Sequence, residues 1–432
     1  MGYRIRGARI WNGSESTSSG EPVEIFLYRG EIVSVGGSPG ISVASEVEGE
    51  DWAAIDLPPG SVIIPGLIDA HVHLDLDPGL MSPQLQFEAS RRDRDLRMIA
   101  RAEAMVAAGI TTARDLGGGE WRELALRDAI AAGQLTGPRL LCAGQPVTLA
   151  QGHCHFWGGV AEDSDEQAQV IRRQLERGVD WVKVMATGGY FTKGSGVDRA
   201  QFDEAELRAM VKLAGGAGRQ MAAHCHGKAG IRNAARAGID TIEHCSFASS
   251  KGYGADYAPE IVSEVAASGA WVSPTVNANW LHRIEKDGRP SDFFQHMTRV
   301  LAGLRAAGIP LLASTDAGIP GVLHHRLAAG LRAFARYADL SPVEVLRSAT
   351  RDSARALGLA AVCGRIEAGL SADLMVVAGD PLENLELLEH PLLVVARGRI
   401  VQSLGGSVAA GASQSVDASI PEPSRASGRA RP

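Results

Sequence analysis

The sequence predicts an α/β protein built on a (β/α)8 TIM barrel, with a small β-sandwich domain assembled from both chain termini. Three observations carry this. Apolar runs of strand length alternate with alanine-rich amphipathic stretches through the middle of the chain, which is the pattern of a parallel sheet covered by helices. Eight such runs occur, the number that closes a barrel. Finally, short β-like pieces separated by Gly, Ser and Pro stand at both ends.

The N-terminal pieces are "YRIRGARIW", "VEIFLYRGEIVSVG" and "AAIDLPPGSVIIPG"; the C-terminal ones are "GRIEAGLSADLMVVAGD" and "PLLVVARGRIVQSL". "YRGEIVSVG" and "ARGRIVQSL" resemble each other, each a turn glycine followed by a short strand. Residues 1–60 and 366–404 are therefore expected to pair as one composite β unit around a barrel of residues 61–365. The barrel strands are expected at Ile63–His73, Ile110–Asp115, Arg139–Ala143, Trp181–Thr187, Gln220–His226, Thr241–Cys245, Trp271–Thr275 and Pro310–Thr315. "RMIARAEAMVAAG", "EQAQVIRRQLERG", "DEAELRAMVKLAGGAG" and "AGIRNAARAG" read as helices ending at glycine. A dinucleotide-binding fold lacks support, because no GxGxxG turn follows an early strand. Residues 405–432 are rich in Ser, Gly, Ala, Pro and Arg and are expected to be a disordered tail.

Composition narrows the function classes. The 432 residues are 45% apolar and only 5% aromatic, so the core is aliphatic. A formal net charge of −7 argues against nucleic acid as a partner, since phosphate binding needs a basic surface. Five scattered cysteines make no disulfide framework. The first residues show no secretory leader, and no apolar run approaches the ~20 residues of a membrane span. The sequence thus predicts a cytoplasmic protein with no membrane partner, a reading compatible with a homo-oligomer.

Six side chains that can bind a metal stand at the ends of predicted strands: His71, His73, Lys183, His224, His244 and Asp316. Such groups are costly inside an apolar barrel unless paired or metal-bound. Alternation puts His71 and His73 on one strand face. Twelve histidines would give roughly 0.3 chance pairs at spacing two, whereas three pairs occur, at 71/73, 153/155 and 224/226. Lys183 interrupts an apolar strand. Desolvation would favour its neutral amine, which can add CO2 to form a carbamate or condense with a carbonyl substrate.

His224 and His244 end consecutive strands. Of the two imidazoles in "HCH", His224 is the expected ligand and His226 a substrate contact. His153 and His155, on the glycine-rich loop "QGHCHFWGG", and Tyr190, after "TGG", are further substrate-binding candidates. Cys154, Cys225 and Cys245 should face away from their histidine neighbours by alternation. Arg114 and Asp115 read as a supporting ion pair or a helix cap.

With these residues in place the chain resembles the amidohydrolase superfamily over nearly its whole length. The likeness rests on "PGLIDAHVHL", "VKVMATGG", "AAHCHG", "TIEHCS" and "STDAG", in order, at strands one, four, five, six and eight. The resemblance implies two divalent ions, zinc by ligand type, bridged by carbamylated Lys183. His71 and His73 would hold one, His224 and His244 the other, and Asp316 would touch the first. It implies attack by a metal-bridging hydroxide, with Asp316 as the catalytic proton carrier.

"QGHCHFWGG" followed by "VKVMATGGYFT" is similar to prolidase-type (Xaa-Pro or Xaa-Arg) dipeptidases and N-acyl amino acid hydrolases, which implies a small substrate bearing a carboxylate. Some of these carry a tyrosine where this chain has His226. A cyclic-amide hydrolase of the imidazolonepropionase or hydantoinase kind is the alternative. A Schiff-base barrel would leave the other five residues unexplained, and a non-catalytic scaffold should lack part of the set, of which none is missing.

Overall fold

The computed structural model describes residues 2–37 and 52–402; the expected tail lies outside them. Five strands open the chain: β1 (Gly2–Ile10), β2 (Val23–Tyr28), β3 (Glu31–Val35), β4 (Trp52–Asp56) and β5 (Val62–Pro65). Seven more run through the middle: β6 (Leu67–Val72), β7 (Ile110–Asp115), β8 (Arg139–Cys142), β9 (Trp181–Met185), β10 (Gln220–Cys225), β11 (Thr241–His244) and β12 (Trp271–Ser273). A short hairpin, β13 (Glu285–Lys286) and β14 (Arg289–Pro290), precedes β15 (Leu374–Val377), β16 (Leu393–Ala396) and β17 (Arg399–Gln402).

The two ends of the chain share one sheet. Its order is β17-β16-β15-β5-β1-β2-β3, with β4 also on β1. One strand serves two sets of partners because β1 is interrupted at Gly7, which has φ +91°. Gly2–Arg6 pairs with β4 and Arg9–Ile10 with β5, while β2 pairs with Tyr3–Ile5 and, after a register shift, again at Ala8. The ends join at β5 and β15, where Ile63 faces Val376 in antiparallel register. The look-alike segments are two-residue hairpins, with Arg29-Gly30 and Arg397-Gly398 in the left-handed region that such turns require. Their tips abut: a Cβ on Gly398 would lie 2.5 Å from the Gly30 Cα.

The barrel strands are parallel. β6-β7-β8 and β9-β10-β11-β12 form two arcs. Val147 bridges one gap, bonding both ways to β9. Segment 310–317 closes the other: Leu312 donates to Val272, Ala70 to Ala313, and Asp316 to His71.

Two strand expectations need correction. Ile63–His73 is not one strand but two, because Gly66 hands the chain from the terminal sheet to the barrel; a Cβ there would sit 2.2 Å from Thr111 Oγ1. Pro310–Thr315 forms only an isolated bridge at Leu311. Pro310 has no N–H to give, and the Thr315 N–H and hydroxyl go to the Asp69 carboxylate instead of a ladder partner.

The predicted helices form as Arg91–Ala107, Ser164–Glu176, Glu204–Gly216 and Lys228–Ala237. Each stops just before a glycine of positive φ: Gly109, Gly178, Gly218 and Gly238. They pack on buried strand residues such as Val182, Ala223 and Ile242, or Val72 and Ala113. Among the described residues no helix is long and apolar enough to cross a membrane.

Candidate active site

The predicted ligands converge at the C-terminal ends of the strands, the end on which such barrels carry their chemistry. His71 and His73 leave β6 on one side. Their Nε2 atoms are 3.2 Å apart, and Asp316 Oδ1 lies 3.4 Å from each. His224, His226 and His244 form a second group whose ring nitrogens fall within 4.8 Å of one another. Lys183 lines the same cavity, with Nζ buried and without a hydrogen-bond partner among the described residues.

The imidazoles are held from behind. His71 Nδ1 meets Glu243 Oε2 at 2.9 Å, His73 Nδ1 the Gly117 carbonyl at 2.9 Å, and His224 Nε2 the Gly188 carbonyl at 3.1 Å. A carboxylate or carbonyl only accepts, so the N–H lies on that side and the other nitrogen's lone pair faces the cavity. His244 Nδ1 meets Thr275 Oγ1 at 2.9 Å, and His226 Nδ1 meets Ser246 Oγ at 2.8 Å. Burial, reinforced by the Lys183 charge, pulls His71 down to about 4. Burial takes His226 to about 3, and holds His224 and His244 well below the ordinary imidazole value. All four are therefore neutral near neutral pH, the form that ligates metal.

Burial also lowers Lys183 to about 8, against the opposing pull of Glu243. Burial pushes the Glu243 carboxyl up, but Arg114 and His71 outweigh it and hold the group below the usual carboxylate range. Arg114 Nη2 donates to Glu243 Oε1 at 2.9 Å, and Thr241 Oγ1 donates to the same oxygen at 2.6 Å. His244, Thr275 and Asp316 all have left-handed backbone, with φ of 65°, 53° and 59°. Such strain persists where surrounding structure imposes it, and it clusters at functional sites. At His244 it breaks strand alternation, so Glu243 and His244 both serve the site.

The cavity holds about 270 Å³. His153, His226 and Tyr190 line it, as the sequence reading expects of substrate contacts; His155 does not. Cys154 takes a left-handed turn, φ 54°, that rotates the following residues. His155 then bonds its own loop at the Gly152 carbonyl, 3.0 Å away, and Trp157 reaches the cavity instead. The same turn breaks the alternation expected for Cys154, which lines the cavity.

Arg114 does not pair with Asp115. Neighbours on a strand point to opposite faces. Asp115 accepts from the Leu74 and Gly117 amides. Glu243 is the functional residue the sequence reading passed over. The available signal was a carboxylate inside the apolar strand "TIEHCS", where an unpaired acid is costly.

His153 is buried, its ring centroid 4.3 Å from that of His224, and its Nδ1 has no partner. Gly189 presses on it: a Cβ there would lie 2.5 Å from His153 Cε1. Gly189→Ala should displace the imidazole and lower kcat/KM about 10- to 100-fold, the scale of a small misplacement at a site. Metal content measured on the same protein should not change.

Residues 62–401 match the sequence pattern of the amidohydrolase family. The chain belongs to that family. Ochratoxinase of Aspergillus niger is 26% identical over 363 residues, covering 77% of this chain and 73% of its own. A putative prolidase from Bifidobacterium longum superposes with TM-score 0.73 at 27% identity, covering 93% and 94% of the two chains. A Xaa-Pro dipeptidase with methionine bound in its active site superposes with TM-score 0.78 at 23% identity, covering 93% and 99%, a likeness of fold alone. The protein is a hydrolase acting on amide bonds. Members of this family generally use divalent metal ions, and the two clusters above are the groups that could hold them.

Proposed function

We propose that this amidohydrolase cleaves the amide or peptide bond of a small carboxylate-bearing substrate, a dipeptide or an N-acyl amino acid. One observation carries the reading: a buried lysine nitrogen, without a hydrogen-bond partner among the described residues, lines the same cavity as two clusters of imidazole and carboxylate groups that could hold metal ions. An uncompensated ammonium there is costly, whereas a carbamate on Nζ would offer two oxygens, one to each set. His71, His73 and Asp316 would hold one divalent ion and His224 and His244 the other, with carbamylated Lys183 between them and zinc favoured by the donor types. His226 is anchored like the ligands, but is assigned to substrate with His153 and Tyr190.

Bound ions would supply Lewis acidity and lower the pKa of water. The chain's own residues do the rest. Asp316 Oδ1, in a carboxyl that burial pushes up but His71, His73 and Lys183 together hold below its ordinary value, takes a proton from the attacking water and returns it to the leaving nitrogen. His153 Nδ1, with no partner among the described residues, meets the substrate's carboxylate or carbonyl oxygen.

The same proposal divides the chain into a two-layered sandwich of residues 1–60 with 366–404 and a barrel of 61–365. It places the protein in the cytoplasm, in keeping with five buried, unpaired cysteines.

The test is turnover of Xaa-Pro, Xaa-Arg and N-acyl amino acid panels by protein loaded with zinc and bicarbonate. Hydrolysis of at least one class is expected. Inactivity across all of them, with ring-opening of cyclic amides instead, would overturn the assignment.

A further inference from the structure

Two large apolar side chains stand out for their exposure. Met81 is 75% exposed and Tyr190 53%, against 43% for the next such residue among those described. Both line the mouth of the catalytic cavity. Exposed apolar surface is unfavourable in water, and where it gathers at a concave site it marks a ligand surface.

The wall behind them continues in kind. Leu76, Trp157, Phe191, Tyr253 and Ile319 line the cavity above the imidazoles. Tyr190 stacks on Tyr253 with ring centroids 5.0 Å apart and planes 13° from parallel, so the rim presents one flat aromatic face. Among the described lining residues there is no arginine, no lysine besides Lys183, and no Ser, Thr, Asn or Gln. The wall's polar atoms are the Tyr190 and Tyr253 hydroxyls and the Trp157 indole N–H, so a charged side chain on the substrate would lose hydration against it without meeting an opposite charge.

We propose that the cavity selects amides in which the group flanking the scissile bond is bulky and apolar, aromatic above all, with Met81 and Tyr190 closing over it. This rests on the amide-hydrolase reading and names the substrate class within it. The charged groups are confined to the floor, where the imidazoles, Lys183 and Asp316 meet the reacting amide. Recognition beyond the floor is by apolar area.

The test uses metal-loaded full-length protein and two readouts. The first is kcat/KM for N-acetyl amino acids and Xaa-Pro dipeptides bearing Ala, Leu, Phe, Asp or Lys at the variable position. The second is Kd, by calorimetry, for non-hydrolysable phosphonamidates bearing a benzyl or a methyl group, which mimic the tetrahedral species. Phe over Ala should be favoured at least tenfold in kcat/KM, and benzyl over methyl at least tenfold in Kd. Met81→Ser, a change at an exposed position, should shrink the benzyl/methyl ratio several-fold.

Equal Kd values for benzyl and methyl, or a preference for Asp or Lys, would overturn the inference even if amides are hydrolysed. Benzyl-selective binding without turnover of any amide would support it while removing the amide reading.

Discussion

Lys183→Ala should abolish both metal retention and catalysis while leaving the fold intact. Nζ is buried in the cavity that both candidate ligand clusters line, and no group among the described residues pairs with it. Without the nitrogen no carbamate can form, and nothing else in the cavity can bridge the two sets. Losing several kcal/mol of metal-derived transition-state stabilisation corresponds to a fall in kcat/KM of roughly 10³-fold or more. The metal-free variant should be no less heat-stable than the metal-free parent, because the change removes a buried, unpaired amine as well as a few methylenes. Elemental analysis, thermal melting and native intact mass on one preparation check all three points. A variant that keeps two equivalents of metal would sink the bridging role.

Glu243→Gln is the second large effect, and it separates stability from metal binding. The carboxylate sits between Arg114, Thr241 and His71, with Arg114 and Glu243 both fully buried. Glutamine keeps the shape but presents an NH2 to either the guanidinium or the imidazole N–H, and leaves the Arg114 charge without its partner. Breaking a buried pair by removing one member costs about 3–5 kcal/mol. Loss of a group that orients a metal ligand weakens affinity about 10- to 100-fold. Denaturant melts should show the first and competitive chelation the second.

Adding Arg114→Leu removes the orphaned charge, so the double variant should regain part of the stability without the affinity. Arg114 also stacks over Trp181 and donates to the Ala70 carbonyl, which limits the recovery. Strictly additive losses would mean that the two residues are not one unit.

The candidate ligands were legible because each breaks a local rule. A lysine inside "DWVKVMA", an aspartate after "PLLAS" and histidines at spacing two are visible departures from apolar periodicity. The barrel was legible for the opposite reason, since its alternation of strands and helices keeps the rule, and its helices stop at glycines that adopt positive φ. His155 stands outside the cavity lining because spacing two implies one face only on an extended backbone, and the left-handed Cys154 turns the chain just there. Glu243 was missed because a single acid beside a ligand gives no periodic signal; its partners Arg114 and His71 come from other strands.

The amino-acid order alone therefore determined which residue types are available for metal chemistry and which strand ends carry them. That information is local: an apolar run, a polar interruption, a glycine. Only the tertiary structure decided which nitrogen of each imidazole faces the cavity, that Arg114 serves Glu243 rather than Asp115, and that the rim above the floor is apolar. Those facts depend on contacts between strands far apart in the chain, where hydrogen-bond geometry and desolvation, not sequence spacing, choose the partner.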